Sequence, residues 1–180
     1  MISKKIVALF CSAATLTLGA CQSSSYPPLA TVPAVDLKRF MGDWYVIANI
    51  PTFIEKGAHN AIESYRLDAD GTIAVTFTFR DGAFDGKAKH YAPRGFVSSD
   101  PSNAIWAMQF IWPFKSDYRI TYLSADYSQT IISREKRDYV WIMARTASIG
   151  ETDYQRLVKI AVAQGYDLNQ IQKVPQQWSK

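Results

Sequence analysis

The chain has 180 residues, of which 48% are apolar, 13% aromatic and 20% charged. That is one domain of ordinary size with enough apolar surface to offset its ordering entropy, which excludes global disorder. The formal charge is +4, but Lys4 and Lys5 lie in a segment read below as removed. The 20 basic residues less these two leave 18 against 16 acidic ones, a net of +2. These charges are scattered along the chain, which excludes an electrostatic nucleic-acid binder.

Residues 1–5 are short and positive, 6–18 are apolar apart from small hydroxyl residues, and Leu18-Gly19-Ala20-Cys21 closes the stretch. The pattern predicts a secretory signal peptide over 1–20. An apolar run of roughly 13 residues is too short for the ~20 that a membrane-spanning helix needs. The Leu-Gly-Ala-Cys ending resembles the lipobox of bacterial lipoproteins. That resemblance implies cleavage before Cys21 and acylation of its thiol and new amine, so that Cys21 becomes a lipid anchor. Gln22 follows, where Gram-negative lipoproteins retained at the inner membrane carry Asp; sorting to the outer membrane, facing the periplasm, is implied. Cys11 is discarded with the signal and Cys21 is consumed as a thioether, so no thiol remains for a disulfide, a metal or a nucleophile. Residues 21–35, rich in Ser and Pro and without periodicity, read as a tether, and 36–180 as the folded domain.

From residue 36 the dominant signal is period-two alternation. It predicts strands over 44–50, 61–67 and 72–79, with Asp68-Ala69-Asp70-Gly71 as the second turn. Asp81-Gly82 and Asp85-Gly86 punctuate a loop. Further strands fit 87–97, 104–111, 117–124, 129–134 and 139–145. One helix follows over 151–164, capped by Thr152 or the preceding turn and ended by Gly165. Its apolar stripe of Tyr154, Leu157, Val158, Ala161 and Val162 is suited to docking on a sheet. Eight short antiparallel strands can close into a barrel, which removes the sheet edges and leaves room for one small ligand. The fold expected is all-β with one helix: an eight-stranded antiparallel up-and-down barrel with a C-terminal α-helix packed outside. A transmembrane barrel is the rival, but its strands are about ten residues long and face apolar side chains outward.

Gly42-Asp43-Trp44-Tyr45 resembles the Gly-x-Trp-Tyr signature that opens lipocalins. Asp126-Tyr127 stands where that family keeps a Thr-Asp-Tyr-like turn, with Ser124-Ala125 departing from its Thr. Tyr139-Val140-Trp141-Ile142-Met143-Ala144-Arg145 resembles its closing Tyr-x-Trp-Ile-Leu-x-Arg strand. Together the three motifs are specific, and they cover about 36–176. Trp112-Pro113-Phe114 and the lipobox narrow the resemblance to the bacterial outer-membrane lipocalins, the Blc-like lipoproteins. It implies that Trp44 and Arg145 meet at the closed end of the barrel as a structural lid, a guanidinium over an indole face.

Parity then orders the interior. Taking Trp44 inward sets the first strand. Ile73, Val75, Phe77 and Phe79 share one face of the third strand, and Trp106, Met108 and Phe110 one face of the fifth. Tyr118, Ile120 and Tyr122 follow on the sixth, and Tyr139, Trp141 and Met143 on the eighth. By resemblance Tyr65 also faces in, carrying Glu63 with it; Glu63 is then expected near the open mouth, beside water or a basic partner such as Arg94 or Lys89. The residues expected to line a ligand are Tyr65, Phe77, Phe79, Trp106, Met108, Phe110, Tyr122 and Trp141. Such a lining suits a ligand with a long apolar portion. The function expected is an outer-membrane-anchored carrier or store of fatty acids or lysophospholipids. A structural envelope lipoprotein with an empty barrel is the alternative. An enzyme is disfavoured: His59 and His90 are the only histidines, without ligand-spaced neighbours, and no nucleophile elbow, P-loop or dinucleotide motif occurs. No cofactor or metal is expected. Oligomeric state stays open, a homodimer being one option.

Overall fold

The computed structural model describes residues 26–178; the expected signal segment, Cys11 and Cys21 lie outside the described residues. Nine segments form one antiparallel meander. They are β1 (Gly42–Ile50), β2 (Ala58–Leu67), β3 (Thr72–Asp81), β4 (Ala88–Tyr91), β5 (Arg94–Val97), β6 (Ile105–Ile111), β7 (Phe114–Leu123), β8 (Gln129–Ser133) and β9 (Val140–Ala144). Strand β9 returns to pair with β1 and closes the ring. The continuous strand expected over 87–97 is split into β4 and β5. Pro93 is the cause: it accepts the Val75 N–H at 3.1 Å but has no N–H to return. Register is unbroken across the gap, Tyr91 opposing Phe77 and Gly95 opposing Ile73, so β4 and β5 are halves of one strand and the barrel has eight.

Along β3 the alternation holds throughout: Ile73, Val75, Phe77 and Phe79 are buried, and the threonines between them are not. An apolar interior under a polar wall is the inverse of a membrane-spanning barrel. Register slips in four ladders, β1–β9, β2–β3, β6–β7 and β7–β8, and the first and last of these turn a strand around. In the β1–β9 ladder Val46 opposes Met143 but Ala48 opposes Ile142, so one residue is spent at Ile47. Trp44 and Val46 point into the barrel, whereas Ala48 and Ile50 point out under the helix. In the β7–β8 ladder Ile120 opposes Ile132 and Tyr122 opposes Ile131, which has the same effect at Thr121. The expectation that Tyr122 shares the inward face of Tyr118 and Ile120 is therefore corrected. Tyr122 packs outside with the helix-facing cluster, and its hydroxyl accepts a bond from Arg156 Nη1 at 2.7 Å.

Helix α2 (Glu151–Ala163) buries Leu157, Val158 and Ala161 against Ala48, Ile50, Ile131, Val140 and Ile142. Val162, placed in the docking stripe by its spacing, is 39% exposed. Thr152 does not cap the helix. The cap is Gly150, without a side-chain bond, and Glu151 and Asp153 in the first turn complement the helix dipole instead. After the helix, β10 (Gln172–Lys173) pairs with Ala48 and Asn49 of β1. Val174 N–H then donates to Ile47 O at 2.9 Å, and Gln176 Nε2 to Val46 O at 2.8 Å. These bonds satisfy the carbonyls that the first bulge frees.

The expected tether is corrected from Tyr26 onward, because that part of it lies against the barrel. Arg137 Nη2 donates to Pro27 O at 2.7 Å, Leu29 N–H to Glu135 Oε1 at 3.2 Å, Val32 N–H to Ile120 O at 3.0 Å and Val35 N–H to Ser102 O at 2.8 Å. Leu29 and Val35 are buried. Single bonds to separate partners leave no periodic trace in the sequence.

The strap leads into α1 (Leu37–Phe40), whose cap Asp36 accepts the N–H groups of Lys38 and Arg39 at 2.9 and 3.2 Å. This turn drops Phe40 into the closed end, 5.1 Å from the Trp44 ring. Arg145 lies over Trp44 with its guanidinium carbon 3.8 Å from the ring centroid. It donates to the carbonyls of Arg39, Phe40 and Met41 at 2.9 Å, of Asp43 at 2.8 Å and of Tyr127 at 3.3 Å. Gly42 holds φ +92°, a conformation that side-chain-bearing residues rarely adopt, so the turn into β1 favours glycine. Arg145→Ala is expected to lower stability by about 1–3 kcal/mol. Arg145→Lys should recover little of that loss, because an ammonium lacks the planar fork. Urea unfolding of both variants measures this, and an unchanged midpoint for the alanine variant contradicts it.

Candidate functional site

A cavity of about 310 Å³ occupies the half of the barrel away from Arg145, within the range of small-molecule sites. Its walls are Val75, Tyr91, Met108 and Trp141, with Glu63 and Tyr118 inside. Its mouth is formed by Phe53, Phe110, Ile111, Arg134 and Tyr139. Below it the floor is solid: Trp106 stacks on Tyr118 at 5.1 Å, meets Phe40 edge-on at 5.5 Å and Tyr65 at 6.0 Å.

The residues expected to line a ligand therefore divide by depth. Met108, Phe110 and Trp141 border the cavity, Phe110 at its rim where it is 44% exposed. Tyr65 and Trp106 belong to the floor. Phe77 and Phe79 are buried in the wall, at 5.2 Å from each other and at 6.3 and 6.1 Å from Tyr91. Tyr91 stands between them and the open space. Tyr122 is outside the barrel altogether.

Glu63 is not beside a cation. Lys89 pairs with Asp81 at 3.2 Å, and Arg94 with Asp68 at 3.4 Å. Glu63 is buried and accepts the Tyr65 hydroxyl, which in turn contacts the Tyr118 hydroxyl at 2.8 Å. Removal from water, with the charge of Glu55 adding to it, lifts the Glu63 carboxyl to about 8. One phenol donor does not offset that loss of hydration. At neutral pH the inner end of the cavity is thus an uncharged acid bonded to the Tyr65 phenol, which is itself bonded to that of Tyr118.

Glu55 is the second buried carboxylate, carried by the 51–57 connection over the mouth. It accepts from Thr52 Oγ1 at 2.6 Å, Asn49 Nδ2 at 3.0 Å and Trp141 Nε1 at 2.8 Å. Asn49 reaches it because the bulge at Ile47 turned β1 around. Burial raises its carboxyl above the ordinary range against the opposing effect of those three donors. Across the mouth, Arg134 pairs with Asp138 at 3.3 Å while its Nε is buried without a partner. Neither Glu55 nor Arg134 stands out in the sequence: a carboxylate in a loop and an arginine at a strand end are ordinarily solvated.

A proton held on Glu63 in the folded chain, and lost from the unfolded chain near 4.5, makes stability fall as pH rises from about 4.5 to about 8 and level off above. The slope from this one group is at most about 1.4 kcal/mol per pH unit. Glu55 contributes in the same direction. Glu63→Gln should flatten the profile and stabilise the protein most above pH 8, as thermal melts across that range will show.

A family model described as a lipocalin-like domain matches residues 35–176. Temperature-induced lipocalin-1 of Arabidopsis thaliana is 33% identical over 82% of this chain and 83% of its own. The outer membrane lipoprotein Blc of Citrobacter freundii is 30% identical over 84% and 86%, and that of Escherichia coli K12 is 27% identical over 92% and 94%. Among solved structures, insecticyanin of the tobacco hornworm Manduca sexta superposes with a TM-score of 0.66 at 15% identity, over 86% of this chain and 87% of that one. The closed eight-stranded barrel with its C-terminal helix is the fold of these solved structures, and the chain belongs to the lipocalin family.

Proposed function

We propose that this lipocalin stores or carries a single-chain amphiphile, a fatty acid or lysophospholipid, in a bacterial cell envelope, held at the outer membrane through Cys21. The observation that carries the reading is the cavity: apolar walls, an uncharged inner end and an arginine at the rim. A protonated Glu63 tolerates an alkyl tail, whereas a carboxylate there would repel one. Arg134, with its partnerless Nε, offers positive charge to an acidic head group left at the mouth; Asp117 nearby is already bound by Arg119 at 3.0 Å. Relatives named outer membrane lipoproteins support the location.

Lysophospholipids of increasing chain length should bind saturably, each added methylene contributing up to ~0.8 kcal/mol until the cavity is full. They should be recovered intact. Binding should weaken as pH rises through about 8, and Glu63→Gln should remove that dependence. Fluorescence titration at a series of pH values measures both effects. No saturable binding across the series would refute the carrier and favour an empty structural barrel. In cells, Cys21→Ser should release the protein from washed outer membranes, since two or more acyl chains supply the attachment; retention of that variant would refute the anchor.

A further inference from the structure

The open end of the barrel carries apolar side chains that nothing in the fold covers. Phe53 is 79% exposed, Ile111 66%, Trp112 82% and Phe114 75%. Phe53 stands on the 51–57 connection and Trp112 in the β6–β7 turn, with Ile111 and Phe114 at the strand ends that flank that turn. Scattered exposed apolar residues need no explanation, but large ones gathered around one opening mark an interaction surface. Aromatic side chains of this kind favour the interface between water and lipid.

Charge accompanies them. Three of the four connections at this end bear an exposed lysine, Lys56, Lys87 and Lys136; against them stands exposed Asp85, whereas Glu135 and Asp138 are already paired with arginines, and Lys115 at the start of β7 lies over the Phe96 ring. At the other end the turns 68–71, 98–104 and 124–128 contain Asp68, Asp70, Asp100 and Asp126 and no basic residue, although α1 adds Lys38 and Arg39 there. Two copies of this chain meeting mouth to mouth would bring the lysines together, so the surface is matched to an anionic occupant.

The position of the strap gives an independent argument. Arg137 lies over the Tyr26 ring at 5.3 Å, and Arg137 belongs to the 134–139 connection at the open end. From Tyr26 to Cys21 is five Cα steps, at most about 18 Å of chain. A lipid on Cys21 therefore keeps the mouth, rather than the Arg145 lid, within reach of the bilayer.

We propose that the open end docks on an anionic phospholipid surface, with Trp112 and Phe114 seated in the interface and Lys56, Lys87 and Lys136 over the head groups. This rests on the anchored-carrier reading and adds a direction to it: ligand passes between bilayer and cavity without crossing bulk water. Phe110 and Ile111 belong to both the rim and the cavity lining, which makes the route continuous.

The test uses residues 22–180, which contain every element described, so that no acyl chain contributes. The chain should co-sediment with phosphatidylcholine vesicles containing phosphatidylglycerol, and less with phosphatidylcholine alone. Trp112→Ser with Phe114→Ser should reduce partitioning by about tenfold or more. Neither residue lines the cavity, so the melting temperature and the binding of monomeric lysophospholipid should not change. A double variant that sediments like the parent overturns the proposal, as does a parent that does not sediment at all. So does concentration-dependent dimerisation that the double variant abolishes while vesicle binding persists, since the occupant is then a second copy. Loss of lysophospholipid binding alone, with vesicle binding retained, overturns the carrier and leaves the docking face standing.

Discussion

Five carbonyl oxygens converge on the guanidinium of Arg145, and the rest of the molecule is arranged around that convergence. The three from residues 39–41 are the open C-terminal end of α1, the fourth begins β1 and the fifth belongs to the turn before β8. Each lies where a regular ladder offers no donor. One planar side chain from the end of the last barrel strand answers all of them and lies on Trp44 as it does so. Because the bonds tie the first strand to the last, the closed end is rigid, and whatever adaptability the barrel has is confined to the other half.

That other half contains features a purely structural core would avoid. Two carboxyl groups, Glu55 and Glu63, are buried with no cation beside them, and in the Arg134–Asp138 pair at the mouth one nitrogen and one oxygen are buried without a partner. An apolar core of the same volume would be more stable. Such groups are retained where a ligand or a gate needs them. Glu55 ties the loop over the mouth to Trp141, and Glu63 makes the interior sensitive to pH. Polarity is thus placed at the two ends of a space whose walls are apolar.

The strand order, the helix and the lid were legible from alternation and from three short motifs, because each of those signals is local. The inward positions of β3 and β6 followed from parity for the same reason. Tyr122 did not, since a bulge at Thr121 reverses parity without leaving any composition signal, and the bulge at Ile47 likewise hid Asn49. Depth was also illegible: Phe77 and Phe79 alternate as lining residues do, but Tyr91, on a strand that Pro93 interrupts, covers them. Glu63 was placed on the correct face and given partners that sit outside the barrel, because a sequence shows which side a residue faces and not what stands opposite it.

The bulge in β1 reaches further than its own register. Beyond Ile47 that strand pairs on one edge with β9 and on the other with β10, and its spare carbonyls are filled by Val174 and Gln176. Strand β1 is the first barrel strand to be made, yet one of its edges waits for β9 at Val140–Ala144 and the other for β10 at Gln172–Lys173. Contacts of such sequence separation form late and slowly. The ring therefore closes only when β9 has reached β1, and the far half of β1 is paired on both edges only when residues 172–176 have followed.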